Sequence, residues 1–221
     1  MSCVLLLSFF FLSRQAAQVS SELGAENEKK TIIVDPGHGG SDPGMVGVGG
    51  LEEKGINLEI SVKLKESLEE RGFRVLLTRE EDTGLYDESA DNKKAQDLQR
   101  RIAFIDGEKP ALAVSIHQNS YSDPSVKGPQ VFYYESSAEG KRLAECIQDT
   151  MNKAAGEERA RTVKGNTSYY LLKRSSSVLV IAECGFMTNP EEAELLQTEE
   201  YQERLAEAVA EGIEAYLSEN L

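Results

Sequence analysis

Thr31-Ile32-Ile33-Val34, running into Asp35-Pro36-Gly37-His38-Gly39-Gly40, is the segment around which the rest of the chain arranges itself. Its first four residues are apolar or β-branched and read as a buried strand. Pro36 and three glycines then forbid continuation and let the backbone turn sharply, so His38 sits just past the carboxyl end of a strand. Open α/β sheets bind their ligands at such strand ends. The other of the two histidines, His117, ends a second run of the same kind, Ala111-Leu112-Ala113-Val114-Ser115-Ile116. A third run, Val178 to Ala182, ends in Glu183. Three strands that each deliver one chemically competent side chain at the same kind of position point to a site, and to a metal.

Outward from that strand, a loop from Ser41 to Gly50 holds four glycines. Glu53-Lys54 opens a helical stretch in which Ile56, Ile60, Leu64 and Leu68 recur every four residues until Gly72 stops it. Phe73 to Leu77 alternates as a strand does, which completes a strand–helix–strand unit of a parallel sheet. Glu80 to Asn92 reads as an acidic loop, and Lys93 to Ile105 as a helix leading into the strand that ends at His117. Gln130 to Tyr134 is a further strand and Ser137 to Ala155 a helix. Gly156 to Asn166 reads as a polar loop, and Tyr169 to Leu172 as a short strand. Asn189-Pro190-Glu191-Glu192 has a cap and a proline at the first helical position, and helix is expected from there to Leu217. No repeat or second domain is evident. The expected fold class is α/β: a single domain with a mostly parallel, twisted central sheet flanked by helices on both faces.

At 221 residues the chain suits one domain with a substantial core. A formal charge of −14 excludes a nucleic-acid binder, because no basic stripe survives among 38 acids. Most of those acids lie on expected helices and read as a solvated surface. Cys3 to Leu12 is an apolar run of ten residues, too short to span a bilayer and suited to the core of a signal peptide. No Lys or Arg precedes it, so an internal start or an uncleaved anchor are the alternatives to a cleaved leader. The expected organisation is a signal peptide or N-terminal anchor over 1–21, a polar linker over 22–30 and a catalytic domain over 31–218. Of the cysteines beyond the leader, Cys146 reads as core packing on a helix, and a disulfide to Cys184 is left open.

Hydrolytic zinc sites take three nitrogen or carboxylate ligands and leave a fourth position for water. His38 and His117 supply two, and Glu53 is the best third candidate. It lies 15 residues after His38, at the mouth of the glycine loop and the start of a helix. A second carboxylate then serves as general base and later proton donor, a role that Glu183 fits. On residue pattern alone the plain reading competes. A lone histidine is more often a core or surface residue, a glutamate at a helix start often serves only the dipole, and spacing does not prove convergence.

Asp35-Pro36-Gly37-His38-Gly39-Gly40, Asp42-Pro43-Gly44, Glu53-Lys54, Thr78-Arg79, Ser115-Ile116-His117 and Glu183-Cys184-Gly185-Phe186-Met187-Thr188-Asn189-Pro190 follow one another in that order. Together they resemble the zinc-dependent N-acetylmuramoyl-L-alanine amidases, which cut bacterial peptidoglycan, and the resemblance spans Thr31 to Leu217. It implies that His38, Glu53 and His117 bind one zinc ion and that Glu183 is the catalytic glutamate. The substrate implied is the muramyl peptide of peptidoglycan. Lys94-Ala95-Gln96-Asp97-Leu98-Gln99-Arg100-Arg101 and the lack of a wall-binding repeat resemble the spore-cortex, germination-specific (CwlD-like) branch. Members of that branch remove the stem peptide so that muramic lactam can form. The apolar run before a charged linker implies export across the cytoplasmic membrane in preference to a buried N-terminal helix, and the resemblance places the destination on the wall or cortex side, secreted or anchored. N-terminal membrane attachment and an activating protein partner are both left open.

Asp106, Pro110-Ala111 and Cys184 depart from the usual family residues, and none is a site position. Cys184 beside the glutamate invites a thiol-nucleophile reading with His117 as base, against which a buried neutral cysteine is the commoner case. Arg101 reads either as a structural ion pair or a substrate contact, and Asn119 either orients substrate or closes a turn. Two rivals to the amidase stand: another zinc peptidase acting on wall peptides, such as a carboxypeptidase, and a catalytically silent wall-binding or activating domain. The presence of Glu183 speaks against the second.

Overall fold

The computed structural model describes residues 29–219; the expected leader over 1–21 and most of the expected linker lie outside the described residues. In chain order the elements are β1 (Thr31–Pro36), a 3-10 turn (Val48–Gly50), α1 (Glu53–Glu70), β2 (Arg74–Leu77), α2 (Lys93–Glu108), β3 (Leu112–Asn119), β4 (Gln130–Tyr134), α3 (Ala138–Ala155), a second 3-10 turn (Glu157–Arg159), β5 (Lys164–Asn166), α4 (Tyr170–Arg174), β6 (Leu179–Phe186), α5 (Pro190–Leu195) and α6 (Glu199–Ser218). The strands form one sheet in the order β2-β1-β3-β6-β4-β5. β2, β1, β3 and β6 are mutually parallel, β4 runs antiparallel to β6, and β5 runs parallel to β4. The sheet is mostly parallel, as the sequence leads one to expect.

Strands buried on both faces read as near-continuous apolar runs, and alternation then decides which side chain enters which layer. Ile32 and Val34 of β1, Leu112, Val114 and Ile116 of β3, and Val180, Ala182 and Cys184 of β6 pack into a thick layer with α1, α3 and α6. Ile33, Ala113, Leu179 and Ile181 pack on the other face, in a thinner layer with Ile105 of α2 and Leu171 and Leu172 of α4. Asp35, Ser115, His117 and Glu183 continue this second set in alternation, so the polar ends of three strands emerge on the thin side of the sheet.

The four-residue spacing in α1 does what it predicts, since Ile56, Ile60, Leu64 and Leu68 are all buried against the sheet. Truncating one of them, as in Leu64→Ala, costs about 2–5 kcal/mol. α2 and α3 begin where side chains can cap them: Asn92 Oδ1 accepts the Ala95 N–H at 3.0 Å and Ser137 Oγ the Gly140 N–H at 3.0 Å.

Four local expectations are corrected. Tyr169 to Leu172 is not a strand but the start of the short helix α4. Asn166 Oδ1 accepts the N–H groups of Ser168 and Tyr169 at 2.8 and 2.7 Å and turns the chain out of extended structure. The stretch from Gly156 to Asn166 is not wholly loop, because it holds a 3-10 turn and its last three residues pair with β4 as β5. The C-terminal helix is two helices: Thr198 leaves the helical region (φ −93°, ψ 134°), and Gln202 Nε2 donates to the freed Leu196 carbonyl at 2.9 Å. Finally, β3 and β6 do not stop at His117 and Glu183 but run on to Asn119 and Phe186, with a register shift between His117 and Asn119. No helix of the described residues is long and apolar enough to cross a membrane.

Candidate active site

β1 ends at Pro36 and the chain turns so tightly that His38 itself takes a left-handed conformation (φ +61°). The Gly39 and Asp42 backbones then pair with each other, and the glycine loop folds back on itself through a bridge between Val46 and Glu52. That return delivers Glu53, first residue of α1, to the base of the turn. Close approach explains the glycines here. A Cβ on Gly37 would stand 2.2 Å from Cε1 and 2.3 Å from Nε2 of His117. One on Gly44, whose φ is +70°, would stand 2.5 Å from Glu53 Oε2.

His38, Glu53 and His117, far apart in sequence, therefore meet. His38 Nε2 lies 3.2 Å from Glu53 Oε2 and His117 Nδ1 lies 2.9 Å from Glu53 Oε1. One ligand atom from each of the three falls within 4.8 Å of the others, which makes them a possible metal site. The carboxylate of Glu53 is held by N–H donors from three directions: Met45 at 2.8 Å, Gln118 at 3.0 Å and the Asn57 side chain at 3.2 Å. His38 uses its other nitrogen, Nδ1, on Asp42 Oδ2 at 3.0 Å, so its Nε2 is the atom turned to the cluster. A carboxylate behind a histidine in this way sets the ring orientation and raises its basicity as a ligand. The sequence signal for this role of Asp42 is an acid four residues after His38 within the same turn.

The electrostatics are those of a site that wants positive charge. Burial disfavours the charged His38, but its hydrogen bonds to Asp42 and Glu53 outweigh this and raise the imidazole to about 9. Burial likewise opposes the charge on Glu53, yet the two imidazoles hold its carboxyl well below the usual range. Asp42 is held low chiefly by its hydrogen bond to His38. The extra proton favoured on His38 thus takes the place that a cation would fill, and a metal would displace it.

Glu183 enters the same cleft from β6, opposite His117 in the parallel register. It is 7% exposed, and its Oε2 has no hydrogen-bond partner. Burial raises its carboxyl to about 7, with the His117 side opposing and Glu53 adding to the shift. A cavity of about 380 Å³ joins Glu183 to the three candidate ligands, walled by Met45, Leu98, Asn119, Tyr169 and Ile181. The donor set of two imidazoles and a carboxylate, beside an unpartnered buried carboxylate oxygen, fits a hydrolytic metal centre. All four expected site residues converge. Tyr169 reaches the wall because its segment turns into α4 where the sequence predicts a strand.

The remaining singled-out residues resolve as follows. Arg101 forms a buried ion pair, with Asp35 and Asp97 each 2.6 Å away. Asn119 lines the cavity and also accepts the Ser120 N–H at 2.8 Å. Asp106 accepts from Ser175 and Ser177 hydroxyls and closes the turn before β6. Cys184 is fully buried in the thick layer, where burial pushes its thiol up, and both Cys146 and Cys184 are free thiols.

Residues 32–215 match the family described as N-acetylmuramoyl-L-alanine amidase. The germination-specific N-acetylmuramoyl-L-alanine amidase of Bacillus subtilis (strain 168) is 37% identical over 193 residues, covering 86% of this chain and 81% of that protein. Among solved structures, the CwlD amidase of Clostridioides difficile, in complex with the GerS lipoprotein, is similar with a TM-score of 0.83 and 39% identity, covering 86% of this chain and 99% of that one. The amidase AmiC2 of Nostoc punctiforme is similar with a TM-score of 0.75 and 34% identity, covering 86% of this chain and 97% of that one.

Proposed function

This chain belongs to the N-acetylmuramoyl-L-alanine amidase family, and from that premise we propose that it strips stem peptides from spore-cortex peptidoglycan with one zinc ion held by His38, Glu53 and His117. The bond cut is the amide between the lactyl group of N-acetylmuramic acid and L-alanine. The observation that carries the reading is the unpartnered, buried Oε2 of Glu183 in the cavity that also holds the three ligand atoms. The domain that does this is 31–218, behind a leader over 1–21 and a linker over 22–30.

Bound at these ligands, zinc supplies Lewis-acid polarisation of the scissile carbonyl and acidifies water. Glu183 moves the proton. As a carboxylate it accepts a proton from the attacking water and, as the acid, returns it to the departing nitrogen of L-alanine; burial, which raises its carboxyl, suits it to both steps. The C–N bond breaks, a C–O bond forms, and the products are a lactyl carboxylate and a free amine. Asp42 keeps His38 Nε2 facing inward through the whole cycle. Leu98, Met45 and Tyr169 wall the cleft and limit bulk water around the carboxylate.

Spore cortex as the setting rests on the Bacillus subtilis and Clostridioides difficile relatives, and a lipoprotein partner on the complex in which the latter was solved. Export and membrane attachment through residues 1–21 complete the proposal. The test is mass spectrometry of peptidoglycan fragments incubated with the purified chain, with and without chelator. The reading expects free peptide beginning at L-alanine, beside intact glycan, only when metal is present. Release of a C-terminal amino acid instead would assign a carboxypeptidase. No product with zinc, but product on adding the lipoprotein, would show that the partner is required.

A further inference from the structure

Thr78-Arg79 belongs to the stretches that carry the family resemblance, yet neither residue has a part in the site described above. Arg79 is 4% exposed and makes its four hydrogen bonds to backbone carbonyls. Nε donates to Pro36 at 3.0 Å, Nη1 to Glu81 at 3.0 Å, and Nη2 to both Gly37 at 3.0 Å and Lys54 at 2.8 Å. Arg101 comes to the same turn from α2. Its Nη1 donates to Pro36 O at 2.7 Å and to Asp35 Oδ1 at 2.6 Å, its Nη2 to His38 O at 2.6 Å, and its Nε to Asp97 Oδ2 at 2.6 Å.

Two guanidinium groups thus hold the carbonyls of three consecutive residues, Pro36, Gly37 and His38. The last of these residues is the one in the left-handed conformation. Lys54 directly follows Glu53, so a single nitrogen of Arg79 ties the turn bearing His38 to the helix start bearing Glu53. A buried cation is costly unless its surroundings use every donor, and the rigid, planar fork of arginine reaches several carbonyls where an ammonium cannot. Thr78 adds to the support by donating to Asp35 Oδ1 at 2.6 Å, which also anchors Arg101.

We propose that Arg79 and Arg101 are positioning residues that set the separation of His38 and Glu53 before the metal arrives, so that they govern metal affinity. This rests on the metal reading of the site. A purely structural role would lower the melting temperature and leave the affinity of the folded protein unchanged.

The experiment measures zinc affinity of the full chain by competition with a chromophoric chelator, alongside thermal melts of the metal-free protein, for wild type, Arg79→Lys and Arg101→Lys. Arg159→Lys is the control, a buried arginine that instead holds Glu191 and the end of α3. In folded samples the two site variants are expected to bind zinc about 10-fold or more weakly, and the control to bind as wild type does. Affinities within about threefold of wild type for folded Arg79→Lys and Arg101→Lys overturn the proposal, as does an equal loss in the control. If neither site variant melts cooperatively, Asp97→Asn decides, since it weakens the anchor of Arg101 and leaves its side-chain oxygen to accept the Leu85 N–H. A loss of about threefold or more supports the proposal and an unchanged affinity overturns it. Wild type that binds no zinc removes the metal reading itself, and this inference with it.

Discussion

Glu183 on β6 and His117 on β3 are register partners on adjacent parallel strands, and both project into the thin layer of the fold. The carboxylate is thereby set beside the candidate ligands without being one of them. Glu183→Gln keeps the shape and loses the proton acceptor. Hydrolysis of muropeptides is expected to fall about 10²–10⁴-fold while zinc content stays at one per chain. A variant without zinc would make Glu183 a ligand.

His38→Ala removes a proposed ligand, so bound zinc and hydrolysis are expected to disappear together. Asp42→Ala leaves all three proposed ligands and removes only the carboxylate behind His38, for which about 10–100-fold weaker zinc binding is expected. Full zinc content in His38→Ala, measured by atomic emission after dialysis, is the result that overturns the ligand assignment.

Gly37→Ala puts a methyl group where the His117 ring now lies, 2.2 Å from Cε1. Gly37 does not itself have a positive φ, so the cost falls on the ring and not on the turn. Metal binding is expected to weaken while the metal-free melt changes little. An undiminished zinc affinity, read by chelator competition, would mean that the ring can move aside freely.

The pH dependence of stability in chelated protein tests the environment of Glu183. Its carboxyl is raised from 4.5 to about 7, so the neutral form favours folding. That contribution is fully present below 4.5 and is lost as pH rises through about 7. At most it amounts to about 3 kcal/mol. Glu183→Gln has no such loss, and its stability relative to wild type is expected to climb between pH 5 and 8. A difference that stays flat over that interval, followed by denaturant titration, contradicts the buried carboxyl described here.

Cys184 follows Glu183 but faces the thick layer, fully buried. Cys184→Ala is expected to cost about 1–2 kcal/mol in stability and to hydrolyse at a rate within a few-fold of wild type. Loss of activity with an intact fold would revive the thiol.

Much of this protein was legible from local chemistry. An apolar run stopped by Asp35-Pro36-Gly37-His38 can only be a buried strand with a turn, and the four-residue spacing from Ile56 to Leu68 can only pay out as a helix with one buried face. His38, Glu53, His117 and Glu183 stand out as candidates because few residue types do metal and proton chemistry, and each lies on or beside a strand end or helix start; the structure brings the four together. The misreadings fell where tertiary contacts outvote propensity. Tyr169 and Tyr170 favour a strand but take up a turn and helix dictated by Asn166, and Thr198 breaks a run of good helix formers so that α6 can lie against α1 and α3.

By itself, then, the sequence determined the strand ends, the helix faces and the identity of the chemically able residues, because these depend on periods of two and near four and on side-chain type. Only the tertiary structure decided that Glu183 faces the cavity and Cys184 the thick layer and not the reverse, that Asp42 backs His38, and that Arg79 joins the turn of His38 to the helix of Glu53. Those are relations between segments tens of residues apart, or between a side chain and a particular fold of the backbone. Their geometry exists only once the sheet order and the turn conformations are in place.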